Sequence, residues 1–190
     1  MTRSVLTGTT LLLCCYSLAD AQTDDCTATA NAAKIAEVGM FSNMRYTKEH
    51  AYGYSVILWR SGNCLFGVFE SSEGLAGDTP IGELQDVKYD SKTAKLSFAA
   101  KLTMGLVGFK GSSGLEQSRD LFTFDGYLKA MTVTGVVTHR IQNNPNLKAI
   151  HSKVVLRISK RESEFMHNST TYGEWREKWQ PVLRFCGPKW

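Results

Sequence analysis

The chain predicts a mainly β protein: an antiparallel up-and-down meander that forms a barrel or a strongly curved sheet, with a C-terminal amphipathic α-helix. Three observations carry this expectation. Ala51 to Leu102 reads as four consecutive strands separated by turn chemistry, further period-two runs continue to Ile158, and one helical stripe follows from Trp175 to Cys186. Short connections favour neighbouring antiparallel strands, whose apolar faces must then be buried.

Tyr52 to Trp59 is rich in β-branched and aromatic residues, which suit a pleated surface. The Ser61-Gly62-Asn63 cluster marks a hairpin, and Cys64 to Glu70 returns. Both runs carry large apolar residues on both faces, so both faces must be covered. Gly67 inside the second run predicts a bulge or a close backbone approach. Glu73 to Pro80 is a turn, Ile81 to Tyr89 a third strand, and Asp90 to Thr93 a polar turn. The fourth strand alternates Leu96, Phe98, Ala100, Leu102 and Met104 with Lys95, Ser97, Ala99, Lys101 and Thr103.

Before this meander, Ala-rich Thr27 to Val38 reads as a short helix stopped at Gly39, and Phe41 to Tyr46 as a first strand. After it, Gly105 to Arg119 is Gly- and Ser-rich and reads as a long loop, with Leu106, Val107 and Phe109 hinting at a lid. Leu121 to Phe124 is a strand, Asp125-Gly126 a hairpin signal, Met131 to Thr138 a strand, and Gln142 to Asn146 a turn leading into Ile150 to Ile158. Thr171-x-x-Glu174 is a capping box that opens a helix from Tyr172 to about Phe185. Trp175, Trp179, Val182, Leu183 and Cys186 share one stripe of it. Trp175 and Trp179 are expected to cover the outer face of some strands, which would explain why the Tyr52–Glu70 hairpin is apolar on both sides. Pro181 should bend the helix, and Gly187-Pro188 ends it.

The 190 residues, 43% hydrophobic and 21% charged, suffice for one domain with a sizeable core. The net charge of +4 is spread along the chain, and its densest patch, Lys153 to Arg161, reads as a solvated strand face rather than a nucleic-acid or anionic-surface site. Arg3, the short apolar run Val5 to Leu18 and Ala19-Asp20-Ala21 predict a signal peptide over residues 1–21, with a single domain over 22–190 (strands within about 41–158, helix about 172–186). The expected location is therefore secreted or periplasmic, with a lipid anchor on Cys14 or Cys15 as the alternative. No stretch is long enough for a transmembrane helix. Asn168-Ser169-Thr170 fits the spacing of an N-glycosylation acceptor.

Cys26, Cys64 and Cys186 would remain after cleavage, and an oxidising compartment permits one intramolecular bond. Cys26 with Cys186 would tie the ends together for about 5 kcal/mol in the loop-entropy model. Cys64 with Cys186 is the alternative, and Cys64 otherwise reads as a buried thiol. No C-x-x-C occurs, which argues against a thioredoxin-like or zinc-ribbon motif.

The order of elements is similar to the lipocalin or calycin barrels: signal peptide, antiparallel meander, late helix. Those families usually carry G-x-W near the first strand, where this chain has Gly39-Met40-Phe41 and no tryptophan. The resemblance implies a ligand-binding barrel and transfers no functional residue. Tyr52, Tyr54, Trp59, Phe66, Phe98 and Phe124 are the residues expected to line an apolar cavity, unless the aromatic set fills a closed core.

Catalytic chemistry finds little support. No G-x-S-x-G elbow and no phosphate-binding glycine motif is present. Glu70, Glu73 and Asp78 cluster near one turn and offer at most a weak carboxylate pair. Of His50, His139, His151 and His167, His139 is in phase with Val133 and Val137 on an apolar face. The turn near Asn144-Pro145 pairs His139 with Ile150, so His151 should point to the other side of the sheet, and no metal site is expected. No cofactor is expected. The expectation is a non-catalytic binding protein for a small apolar ligand or an envelope partner. A structural protein with a filled core and an unrecognised hydrolase are the alternatives.

Overall fold

A computed structural model describes residues 34–62, 64–75, 79–108, 114–159 and 169–190. The signal segment, Cys14, Cys15, Cys26, Asp78, Phe109, His167 and the Asn168 acceptor lie outside the described residues.

Eleven strands and one helix are described: β1 (Ile35–Ser42), β2 (Arg45–Tyr46), β3 (His50–Ser61), β4 (Cys64–Leu75), β5 (Ile81–Asp90), β6 (Lys95–Leu102), β7 (Leu106–Gly108), β8 (Leu115–Gln117), β9 (Asp120–Lys129), β10 (Thr132–Ile141), β11 (Ile150–Ile158) and α1 (Tyr172–Cys186). The main sheet runs β1-β11-β10-β9-β6-β5-β4-β3-β2, and β1 also pairs with β3. That second pairing closes eight antiparallel strands into a barrel, with β2 as a short addition and β7–β8 as a separate hairpin. The turns of β3–β4, β5–β6 and β9–β10 lie at one end. The longer connections β1–β3, β4–β5, β6–β9 and β10–β11 gather at the other, the mouth.

Period-two patterning sorts side chains to two sides. Inside, Val56, Leu58, Phe69, Leu96, Phe98, Leu102, Phe122, Phe124, Val133 and Leu156 form the main core, all buried. Phe69 meets Phe98 at 5.8 Å and Phe122 at 5.4 Å between ring centroids, and Phe98 stacks on Phe124 at 5.1 Å. Phe69 on β4 and Phe122 on β9 are not on neighbouring strands, so their contact spans the interior.

Outside, α1 covers the β3–β4 hairpin. Trp175 and Trp179 pack on Ile35, Ile57, Trp59, Phe66, Val68 and Ile81. This second core explains why that hairpin is apolar on both faces. Thr171 caps α1 by accepting from the Glu174 N–H at 3.2 Å. The Glu174 carboxylate reaches back to the Thr170 N–H at 2.7 Å, one residue earlier than an ordinary capping box would place it. The helix continues through Pro181.

Five expectations are corrected. Residues 35–38 are strand, not helix: pairing of β1 with β3 outweighs the weak helical preference of the alanines, and Gly39 sits at a register shift with φ 141° instead of at a helix stop. Asp125-Gly126 is not a turn, because β9 runs through it to Lys129 and the turn falls at Ala130-Met131. Gly126 is required by packing: a Cβ there would lie 2.7 Å from the Gly135 Cα and 2.7 Å from the Phe124 ring. The Gly105–Arg119 stretch is not wholly irregular, since β7 and β8 pair within it. Finally, Cys186 is a free thiol, so neither expected bond to it forms; its place on the apolar stripe of α1 puts it against the outer aromatic layer. Cys64 is instead disulfide-bonded, not a free buried thiol.

Gly67 has the predicted role. A Cβ there would fall 1.9 Å from the Ile57 carbonyl oxygen on the neighbouring strand.

Candidate functional site

The mouth holds the one buried ionisable cluster found among the described residues. Asp120 opens β9 in phase with Phe122 and Phe124, so the same alternation that sends the rings inward sends its carboxylate inward. His139, near the end of β10, faces the same interior and pairs across the sheet with Phe122, on whose ring its imidazole stacks at 4.2 Å. His139 Nε2 lies 2.7 Å from Asp120 Oδ1. The other carboxylate oxygen accepts from the Met104 N–H at 2.8 Å and from the Ser118 hydroxyl. Ser118 Oγ in turn accepts from the N–H groups of Met104 and Gly105, both at 3.1 Å. Burial pushes the Asp120 carboxyl toward the neutral form. Hydrogen bonds from His139, Ser118 and the Met104 N–H outweigh that and hold its pKa below the ordinary value.

A serine, an aspartate and a histidine together invite comparison with a catalytic triad, but the order is wrong. A triad places the imidazole between hydroxyl and carboxylate so that it can take the hydroxyl proton. Here the carboxylate stands in the middle. The Ser118 hydroxyl donates its hydrogen bond to Asp120, and its oxygen already accepts from two amides. The cluster is a latch: it fixes the two ends of the segment carrying β7 and β8, tying Met104 and Gly105 to Ser118 and Asp120, and these to β10. A further bond, from the Ser118 N–H to the Gly105 carbonyl at 2.8 Å, closes the base of the hairpin.

Around this latch the rim carries exposed apolar side chains. Tyr46, Leu75, Leu106, Leu115, Leu147 and Ile150 are each more than half exposed, and they come from all four mouth connections or the strand ends beside them. In the β7–β8 ladder Leu106 pairs with Gln117 and Gly108 with Leu115, so both leucines stand on one face of the hairpin.

No family model, curated protein or solved structure matches the chain.

The six aromatic residues expected to line one cavity are divided by the sheet. Trp59 and Phe66 point outward, 5.4 and 4.9 Å from Trp175 between ring centroids, and belong to the layer under α1. Tyr54, Phe98 and Phe124 pack with the interior core. Tyr52 reaches the mouth, 48% exposed, and stacks on His50. Phe98 and Phe124 also contribute to the floor of an open groove of ≈ 580 Å³. Its other lining residues include Lys88, Ser97, Ala99, Thr123 and Thr138, so it lies over the outer face of β5, β6, β9 and β10 rather than in the barrel interior.

Glu70 and Glu73 are three residues apart on β4 and face opposite sides of the sheet, so they cannot share a proton or a substrate there. His139 pairs with Ile150 and His151 with Thr138, which places the two imidazoles on opposite faces as expected. No group of three or more metal-binding side chains occurs among the described residues. No described helix is long and apolar enough to cross a membrane.

Asp120 and Ser118 were not among the expected site residues. A signal for Asp120 was present: it stands two residues before Phe122 in the same phase, one strand before a histidine that is itself in phase with the core. Ser118 gives no such sign, because its role depends on the tertiary path of the β7–β8 segment.

Proposed function

We propose that the protein is an exported, non-catalytic binding protein that acts through the mouth of a solid barrel. The signal-like segment at residues 1–21 supports export. The contrast between interior and rim carries the rest. Phenyl rings meet across the middle of the barrel, which favours packing over cargo, while large apolar side chains stand in solvent around the mouth. Exposed apolar groups concentrated at one end of a soluble fold mark an interaction surface. The Ser118–Asp120–His139 latch serves that surface by holding the hairpin that presents Leu106 and Leu115.

The test is site-specific photo-crosslinking in the protein's own host, with the probe placed at Leu115 on the mouth and at Met131 on the opposite end. Adducts from Leu115 and none from Met131 are expected. Equal labelling at the two sites, or a stoichiometric small apolar molecule released from the purified protein only on denaturation, would overturn the mouth-binding reading in favour of a surface without preference or an interior carrier.

A further inference from the structure

We infer that the mouth docks on an anionic lipid surface. This rests on the reading of the mouth as the binding surface and names its partner.

Two observations point to a bilayer rather than to a folded protein. The first is the distribution of apolar groups. Tyr46, Leu75, Leu106, Leu115, Leu147 and Ile150 do not form one patch on one element; they ring the mouth on separate connections. Side chains projecting singly from several loops suit a soft interface into which each tip can sink. A tyrosine at such a boundary places an apolar ring with its hydroxyl among headgroups.

The second is charge. Five exposed cations, Arg45, Lys48, Arg119, Arg140 and Lys148, stand among these tips. Glu49, Glu73 and Glu116 are the exposed carboxylates on the same described connections and strand ends. Cations therefore exceed carboxylates by two (5 − 3). Lys or Arg beside an inserting apolar group is the combination that binds acidic headgroups. Lys148 directly follows Leu147, and Lys48 lies two residues after Tyr46, so the two kinds of contact can be made together. The surface involved is not the Lys153–Arg161 stretch, the densest cationic run in the sequence.

The experiment is vesicle flotation of the full mature chain with phosphatidylcholine alone and with phosphatidylcholine containing phosphatidylglycerol. Binding to the anionic vesicles at least about tenfold tighter than to the neutral ones is expected. L106D/L115D should lose that binding, and R119E/K148E should weaken it about tenfold. All four positions are exposed, so the fold should persist, which a thermal melt of each variant checks. No binding to either vesicle would overturn the inference. So would binding that L106D/L115D leaves unchanged, because another surface would then be responsible. If vesicles fail while Leu115 still crosslinks to a protein, the lipid inference falls and the mouth-binding reading stands. If vesicles fail and crosslinks are absent, both fall.

Discussion

Replacing Asp120 by alanine should both destabilise the protein and loosen one hairpin. The carboxylate is fully buried and receives three donors: His139 Nε2–H, the Met104 N–H and the Ser118 hydroxyl. Hydrogen bonds to a charged group contribute about 1.5–3 kcal/mol each. After truncation Met104 keeps its bond to Ser118 Oγ at 3.1 Å, so the loss is less than three full bonds. His139, 9% exposed, is the group left worst off. Breaking a buried pair of this kind costs about 3–5 kcal/mol, and that range is the expectation for Asp120→Ala by urea denaturation. Asp120→Asn keeps the shape and one acceptor, and should cost about half as much. Amide exchange at Met104 and Gly105 should accelerate beyond the global loss, because these N–H groups anchor the hairpin base. The pH dependence follows from the lowered pKa of Asp120. Its stabilisation is fully present above the unfolded-state value, about 4, and is lost as pH falls from there through the lower folded value. The wild type should therefore lose stability more steeply than Asp120→Ala in that acid range. A cost below about 1 kcal/mol with unchanged protection at Met104 would refute the latch.

The remaining expectations concern the rest of the fold. Trp175→Ala should cost about 3–5 kcal/mol by leaving Trp59 and Phe66 uncovered, with Trp59 fluorescence shifting to the red; an unshifted spectrum would deny the outer core. Gly67→Ala should cost about 3 kcal/mol or prevent folding, because the new methyl meets a backbone oxygen on a central strand. Ser71→Ala should raise stability by about 1 kcal/mol, since the Ser71 hydroxyl is buried without a hydrogen-bond partner; a loss of that size would mean it has one. Alkylation without reduction should label Cys186 in the denatured chain. Non-reducing peptide mapping should link Cys64 to an amino-terminal peptide containing Cys26, the cysteine left once the signal segment and Cys186 are set aside, and a Cys64–Cys186 peptide would contradict this.

Much of the architecture was legible because period two and period 3.6 are local properties. Lys95 to Leu102 and Ile150 to Ile158 fell where alternation placed them, and the Thr171–Glu174 signal located the helix start. Even the His139–Ile150 pairing followed from counting outward from Asn144-Pro145. The misreadings share another cause. Gly126 resembles half of a turn, yet its missing side chain makes room for Gly135, its partner on the neighbouring strand, and for the Phe124 ring on its own strand. Ala-rich residues before Gly39 looked helical because nothing local announces that β3 has an open edge waiting. The latch was invisible for the same reason. Asp120 and His139 are each in phase with a core face, but only strand pairing makes them neighbours, and the Met104 and Gly105 amides join them only once the β7–β8 hairpin has folded back.

The pairing of β1 with both β3 and β11 also sets an order in time. Every other strand of the ring can find its partner as soon as the next hairpin emerges, but among the described residues β1 pairs with β11 through Phe41 with Ile158 and Ser42 with Arg157. Nearly the whole chain must exist before those two residue pairs can form. Contacts so distant in sequence are slow to make. Until they do, the meander is an open ribbon with bare edges at both ends, the state in which such sheets stick to one another. A chain truncated before Ile150 would keep most of its hairpins and never become a ring.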